Sequence, residues 1–329
     1  MKTLSHLSEV VGWEKPSAEH PHTNVAGVAV DEQDRVFLLT RFNPAVLVYD
    51  TDGTFVDAWG GEYFTERSHG LTIDRDGNVF CVDSGDHTVR KFTSDGRLLM
   101  TLGTRGIPSR TGYHQEKGVE TITHGGAPFN RPTNVAVAPN GDLYVSDGYG
   151  NARVHHFSGS GAHIRSWGEP GSGPGEFYLP HGIAVDAQGR VLVADRESDR
   201  IQVFAPTGEF VEEWHSVHRP TDILVLSDGN LLVSELTWFE GETSYRRGRI
   251  EREEAGQISL LDPDGEVLDR ITGLNAPHSL AVDSAGSIYV GDVARTFFVF
   301  QNKLDRIVAG TPDIIKYAAT TQSAAGAGM

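Results

Sequence analysis

Residues 181–204 read HGIAVDAQGRVLVADRESDRIQVF. Three short apolar runs with polar residues at a period of two are divided by turn residues. They read as strands rather than helices. The same phrase recurs along the chain. Its first strand returns as GVAVDEQDR, GLTIDRDGN, NVAVAPNGD, DILVLSDGN and SLAVDSAGS, beginning at Gly27, Gly70, Asn134, Asp222 and Ser279. A second strand follows each time (VFLLTR, VFCVDS, LYVSDG, LLVSEL, IYVGDV), then a third (AVLVYD, TVRKFT, RVHHFS, QISLLD, FFVFQN). A fourth often ends at tryptophan: FVDAWG, HIRSWG and FVEEWH. Asp52-Gly53, Asp76-Gly77, Asn140-Gly141, Asp228-Gly229 and Asp264-Gly265 are hairpin pairs that tolerate positive φ.

Six four-stranded units at a period of about fifty residues predict an all-β, six-bladed β-propeller. Its blades bury their faces on one another, so residues 25–310 are expected to form one cooperative domain. Residues 1–24 form an N-terminal segment whose SEVVGW resembles the fourth-strand phrase, and it is expected to pair with the last blade and close the ring. Residues 311–329 are a C-terminal tail, with disorder expected at its low-complexity end after Tyr317. Two long polar stretches, 104–130 and 236–256, read as loops, and as tolerated surface insertions unless a site lies nearby.

The 329 residues carry 28 basic and 45 acidic side chains, a net charge of −17. That argues against nucleic acid or an anionic membrane as partner. An apolar run of 18 residues, as a membrane-spanning helix needs, is absent from the sequence. The segment 1–23 lacks the apolar core of a secretory signal, and Cys81 is the single cysteine. A cytoplasmic, reducing setting is expected.

Three of the 14 histidines share one register position. His69, His181 and His278 each stand immediately before the first-strand phrase, in blades two, four and six. Ala26, Thr133 and Thr221 hold that place in blades one, three and five. Innermost strands line the channel of a propeller, and alternate blades of six lie about 120° apart. Three imidazoles would converge on one axial point and leave positions open for water or substrate. Zinc leads the candidates; iron, copper and nickel also take three imidazoles.

Arg41, Tyr149 and Arg196 lie at or just beyond second-strand ends, near one mouth of the channel. Arg41 and Arg196 come from blades facing each other across the ring, and two guanidiniums above a metal suit a carboxylate-bearing substrate. The competing readings are salt bridges for the arginines and turn packing for Tyr149. Asp83, Asp147, Asp195 and Asp292 recur at second-strand ends and are assigned to holding turns rather than to catalysis.

The units resemble NHL repeats. From about Val25 to Gly310 the chain is similar to the peptidyl-α-hydroxyglycine α-amidating lyase family, through HGLTIDRDGNVFCVD, RPTNVAVAPNGDLYVSDGYGNARV, LPHGIAVDAQGRVLVADRESDRIQVF and APHSLAVDSAGSIYVGD. The resemblance implies zinc on His69, His181 and His278, a catalytic base at Tyr149, and active-site arginines at Arg41 and Arg196. The reaction it implies splits a carbinolamide, R-CO-NH-CH(OH)-COO⁻, into an amide and glyoxylate, on a small-molecule or peptide-end substrate. Where that family has a calcium-binding aspartate, a methionine and a disulfide cysteine, this chain has Ser279, Ala276 and Gly150. Structural calcium is therefore doubtful. The alternatives are a lactonase-like metal-dependent hydrolase and a non-enzymatic NHL scaffold for protein binding. The first would recruit carboxylates for calcium rather than imidazoles, and the second has no need of three histidines in register.

Overall fold

The computed structural model describes residues 1–307 and 311–319. Among them, six four-stranded antiparallel sheets succeed one another along the chain. Their innermost strands are Val25–Val30, Ser68–Ile73, Pro132–Val137, Pro180–Val185, Pro220–Val225 and Pro277–Val282. Each packs against the next, and the sixth packs against the first, so the sheets close into a six-bladed propeller. The core is not central. One apolar cluster fills each seam between blades, such as Ile183, Val193 and Phe204 with Tyr144 and Val154 between blades three and four. Strands buried on both faces explain why the second strands read as continuous apolar runs.

Tryptophan at the end of the fourth strand has a repeated task. A side chain at Gly96, Gly208 or Gly265 would strike the indole of Trp59, Trp167 or Trp214 from the preceding blade. The turn glycine, at positive φ, is therefore both the hairpin's hinge and the seat of its neighbour's ring. Trp13 plays the same part at the closing seam. It sits against Gly53 and lies 5.1 Å from the Tyr289 ring, and burying it there contributes about 1.5–3 kcal/mol.

Blade six differs from the expectation in its third strand. FFVFQN is not a strand: Ala294–Phe300 is a helix, and Ile314–Ala319 supplies the strand that pairs with Ile288–Asp292. The propeller thus runs past residue 310. Leu7–Glu9 pairs with Ile314–Ala319 as the fourth strand. Phe297 to Phe300 lack the alternation a blade strand requires; Phe297 and Phe298 turn inward onto Ala26, Leu236, Phe239 and Ala276. Of the tail after Tyr317, Ala318 and Ala319 are paired strand, and 320–329 lie outside the described residues. No helix among the described residues is long and apolar enough to cross a membrane.

Candidate metal centre

At the start of each innermost strand the pairing with the second strand slips. The shifts fall between Ser68 and Leu71, Pro180 and Ile183, and Pro277 and Ser279. His69, His181 and His278 lie inside these bulges, which re-aim a side chain out of the ordinary pleat. All three are buried. Gly70 and Gly182 follow two of them, where a Cβ would come within 2.7 Å of the Thr133 or Thr221 carbonyl oxygen, so only glycine lets the blades approach.

Each histidine is oriented by the next blade. Nδ1 of His69 donates to the Thr133 carbonyl (2.7 Å), that of His181 to Thr221 (2.6 Å) and that of His278 to Ala26 (2.7 Å). A carbonyl only accepts, so Nδ1 carries the proton and Nε2 keeps its lone pair. The three ring centroids are 4.7, 4.7 and 4.9 Å apart, and one ligand atom from each ring lies within 4.8 Å of the others. Nε2 of His278 is buried without a hydrogen-bond partner. Burial, then the neighbouring His278 and Arg41, hold His69 well below the usual imidazole range. Burial, then His69 and Arg196, do the same for His181, while burial and Arg41 bring His278 down to about 3. Three neutral imidazoles with unprotonated nitrogens facing one point fit a divalent transition metal in donor type and tautomer, and in the backbone carbonyl that holds each ring.

Tyr149 reaches this point from the turn after Asp147. Its hydroxyl is 3.2 Å from His69 Nε2 and 3.5 Å from His181 Nε2, and Nη1 of Arg196 donates to it at 3.0 Å. Burial works against the charge of Arg196, but Tyr149 and Glu197 outweigh it and hold the guanidinium firmly protonated. Arg41 donates from Nε to the Ser68 carbonyl at 3.4 Å, one residue before His69. Arg41, His69, Tyr149, Arg196 and His278 line one cavity of about 540 Å³, and His181 lies behind this lining against Tyr149.

The second-strand carboxylates hold the chain just ahead of the channel position. Asp195 accepts the N–H of Leu179 (2.9 Å) and Asp292 that of Ala276 (3.0 Å). Asp147 accepts Asn130 N–H (2.8 Å), and Asp83 accepts Thr65 Oγ1 (2.6 Å). Each histidine is thus approached by an anchored backbone. At Ser279 the hydroxyl donates to Asp222 Oδ2 (3.1 Å), with Asn134 Nδ2 on Oδ1 (3.0 Å). Burial pushes this carboxyl up to about 6.

The NHL repeat family matches residues 129–157 and 177–204, blades three and four. Human NHL repeat-containing protein 3 is 31% identical over 301 residues, covering 86% of this chain and 80% of that one. The chain belongs to the NHL-repeat family. This NHL propeller is also 32% identical over 326 residues to peptidyl-glycine alpha-amidating monooxygenase B of Xenopus laevis, covering 87% of its own length and about a third (34%) of that relative. It is 29% identical over 257 residues to a Caenorhabditis elegans protein named "Probable peptidyl-alpha-hydroxyglycine alpha-amidating lyase", covering 76% of this chain and 68% of that one. Among solved structures a streptogramin B lyase shares the fold, with TM-score 0.59 and 13% identity over 95% of this chain and 97% of that one.

The sequence reading of the NHL propeller missed three further cavity residues, Arg67, Arg131 and Arg219. Each stands two residues before the channel position of its blade. It also missed Glu235, which takes the anchoring carboxylate's place in blade five and accepts His218 N–H at 2.7 Å. The long stretches are not idle insertions. Tyr113 and Gln115 from the first and Leu236 at the start of the second line the cavity, with Phe297 and Phe300 of the helix above them.

Proposed function

We propose that this protein is a zinc-dependent carbon–nitrogen lyase that splits an α-hydroxyglycine-type carbinolamide into an amide and glyoxylate. The observation that carries this reading is the meeting of three unprotonated imidazole nitrogens with the Tyr149 oxygen, which the Arg196 guanidinium holds beside one cavity. The similarity to amidating lyases and monooxygenases supports the choice of reaction. His69, His181 and His278 would hold the ion, which when bound supplies Lewis acidity toward the substrate's oxygen.

The chain's own groups do the rest. Arg41 and Arg196 bind the carboxylate of the hydroxyglycine unit, orienting its carbinol carbon over the histidines. Arg196 donates to the Tyr149 oxygen and fixes its position beside the imidazoles. Tyr149 takes the carbinol hydroxyl proton as general base. As the C–O bond becomes a carbonyl, the C–N bond breaks and its electron pair leaves with nitrogen. Nitrogen then receives the proton that Tyr149 took, so the step yields amide and glyoxylate with no net proton uptake. Arg41 stabilises charge developing next to the carboxylate. Lone, buried Cys81 suits a cytoplasmic setting for this chemistry. Glyoxylate release from a panel of α-hydroxyglycine derivatives, with metal analysis of the purified protein, tests the proposal. Zinc without glyoxylate from any member would replace the lyase by a different metal-dependent reaction.

A further inference from the structure

The cavity over the histidines is basic although the chain carries a net charge of −17. Five arginines line it, Arg41, Arg67, Arg131, Arg196 and Arg219, against one carboxylate, Glu66. Their partners sort them into two kinds. Arg219 is structural: it pairs with Glu197 and Glu242 and lies over the Trp238 ring at 3.9 Å. Arg196 pairs with Glu197 at 2.8 Å.

Arg41, Arg67 and Arg131 have no carboxylate within ion-pair distance among the described residues. What they do have is neutral. Arg131 donates to Gln115 Oε1 (2.6 Å) and to the Tyr113 hydroxyl (3.5 Å), and its guanidinium lies 5.5 Å from the Tyr113 ring centroid. Arg67 lies 6.0 Å from the Phe300 ring centroid, and Arg41 bonds a backbone carbonyl. Aromatic and amide groups hold the orientation of a guanidinium without neutralising it. Arg67 and Arg196 lie close enough to Arg41 to act on its charge. Three guanidiniums without a paired carboxylate in one cavity, two of them near enough to repel, make it a receptor for an anion.

The single carboxylate of a hydroxyglycine unit takes up Arg41, with Arg196 beside Tyr149. It leaves Arg67 and Arg131 unmatched on adjacent blades two and three. We infer that the substrate carries a second carboxylate, on the acyl side of the scissile C–N bond, bound by Arg67 and Arg131. The substrate class is then an N-(carboxyacyl)-α-hydroxyglycine, whose amide product is itself an acid. This rests on the lyase reading for the place of the first carboxylate; the excess of unpaired arginine does not.

The test is an isosteric pair, N-succinyl-α-hydroxyglycine and N-succinamoyl-α-hydroxyglycine, which differ only in the charge of the distal group. A charge-assisted, forked contact predicts a kcat/KM about ten- to a hundredfold higher for the succinyl compound. In Arg67→Gln and Arg131→Gln that ratio should fall toward one, and in Arg131→Lys part of it should survive. Circular dichroism melting of each variant confirms that the ring is folded. A wild-type ratio near one, or a ratio unmoved in the double variant, overturns the second subsite while leaving glyoxylate release standing. If neither compound nor any other α-hydroxyglycine derivative of the panel releases glyoxylate, the lyase reading fails on its own. Calorimetric titration with glutarate and with its monoamide then decides. Tighter binding of glutarate that is lost in the Arg67→Gln/Arg131→Gln variant supports the dianion subsite, and equal binding overturns it.

Discussion

Blades two, four and six differ from blades one, three and five at the position that faces the axis, and the difference is histidine. In the even blades it is His69, His181 and His278; in the odd blades it is Ala26, Thr133 and Thr221. The backbone bulge is common to both sets. The even blades present imidazole nitrogens to the axis, and the odd blades present carbonyl oxygens to the far side of those imidazoles. A repeat that is uniform in backbone has thus divided its labour by side chain, imidazoles alternating with the groups that orient them. The odd threonines add a lock of their own. Thr133 Oγ1 bonds Ser146 and the Pro180 carbonyl, and Thr221 Oγ1 bonds Ser234 and the Pro277 carbonyl.

Breaking an even position should have the largest effect. His69→Ala or His181→Ala removes a ligand, and glyoxylate release should fall about a thousandfold or more, since Lewis-acid stabilisation supplies several kcal/mol. Elemental analysis should show the ion largely gone while the ring stays folded; full occupancy in both variants would remove the metal assignment. Next in size is Tyr149→Phe, which keeps the ring and deletes the proton acceptor. Turnover should drop about a hundredfold with zinc still bound, because the base acts in the transition state. Unchanged turnover would clear Tyr149 of the role.

The metal-free protein sharpens the contrast through pH. His278 titrates near 3 when folded against 6.5 as an ordinary imidazole. Its folded-state pKa is lowered, so stability is fully present above about pH 6.5 and is lost as pH falls toward 3. Urea denaturation of the metal-free protein from pH 7 to 4 should show this loss, and His278→Ala should make it shallower, the rest coming from His69 and His181; an equal slope in both would place the titration elsewhere. The smallest effect belongs to an odd blade. Thr133→Val keeps the carbonyl that orients His69 and removes only the hydroxyl lock, costing about 1–3 kcal/mol of stability. Zinc content should match wild type in that variant. Loss of the metal would show that the odd side chains do more than brace their blades.

The fold was legible because each blade repeats its own turn chemistry. Asp-Gly and Asn-Gly pairs, the apolar second strands and the terminal tryptophans all recur at one period. The histidines were legible for the same reason, as a substitution pattern on that period. Blade six escaped at its third strand because Phe297 and Phe298 are as apolar as a strand, yet spend that apolarity on capping the mouth. Arg67 and Arg131 escaped because they sit in the loops entering the blades, where side-chain direction follows local backbone rather than alternation. Arg131 itself is at φ 66°, outside any strand geometry. Tyr149 and Arg196 had a register position near the mouth, but their meeting at 3.0 Å belongs to the folded ring alone.

The third histidine sits on the seam where the ring closes. His278 belongs to blade six, and its orienting carbonyl, Ala26, belongs to blade one. Blade six in turn is completed by Leu7–Glu9 lying against Ile314–Ala319. A nascent chain leaving the ribosome carries its N-terminal strand unpartnered through nearly the whole of synthesis. His278 cannot be held beside His69 and His181 until the last strand arrives and the circle is joined. An ion held by these histidines, as proposed, would therefore be loaded only after synthesis and would oppose reopening of the seam.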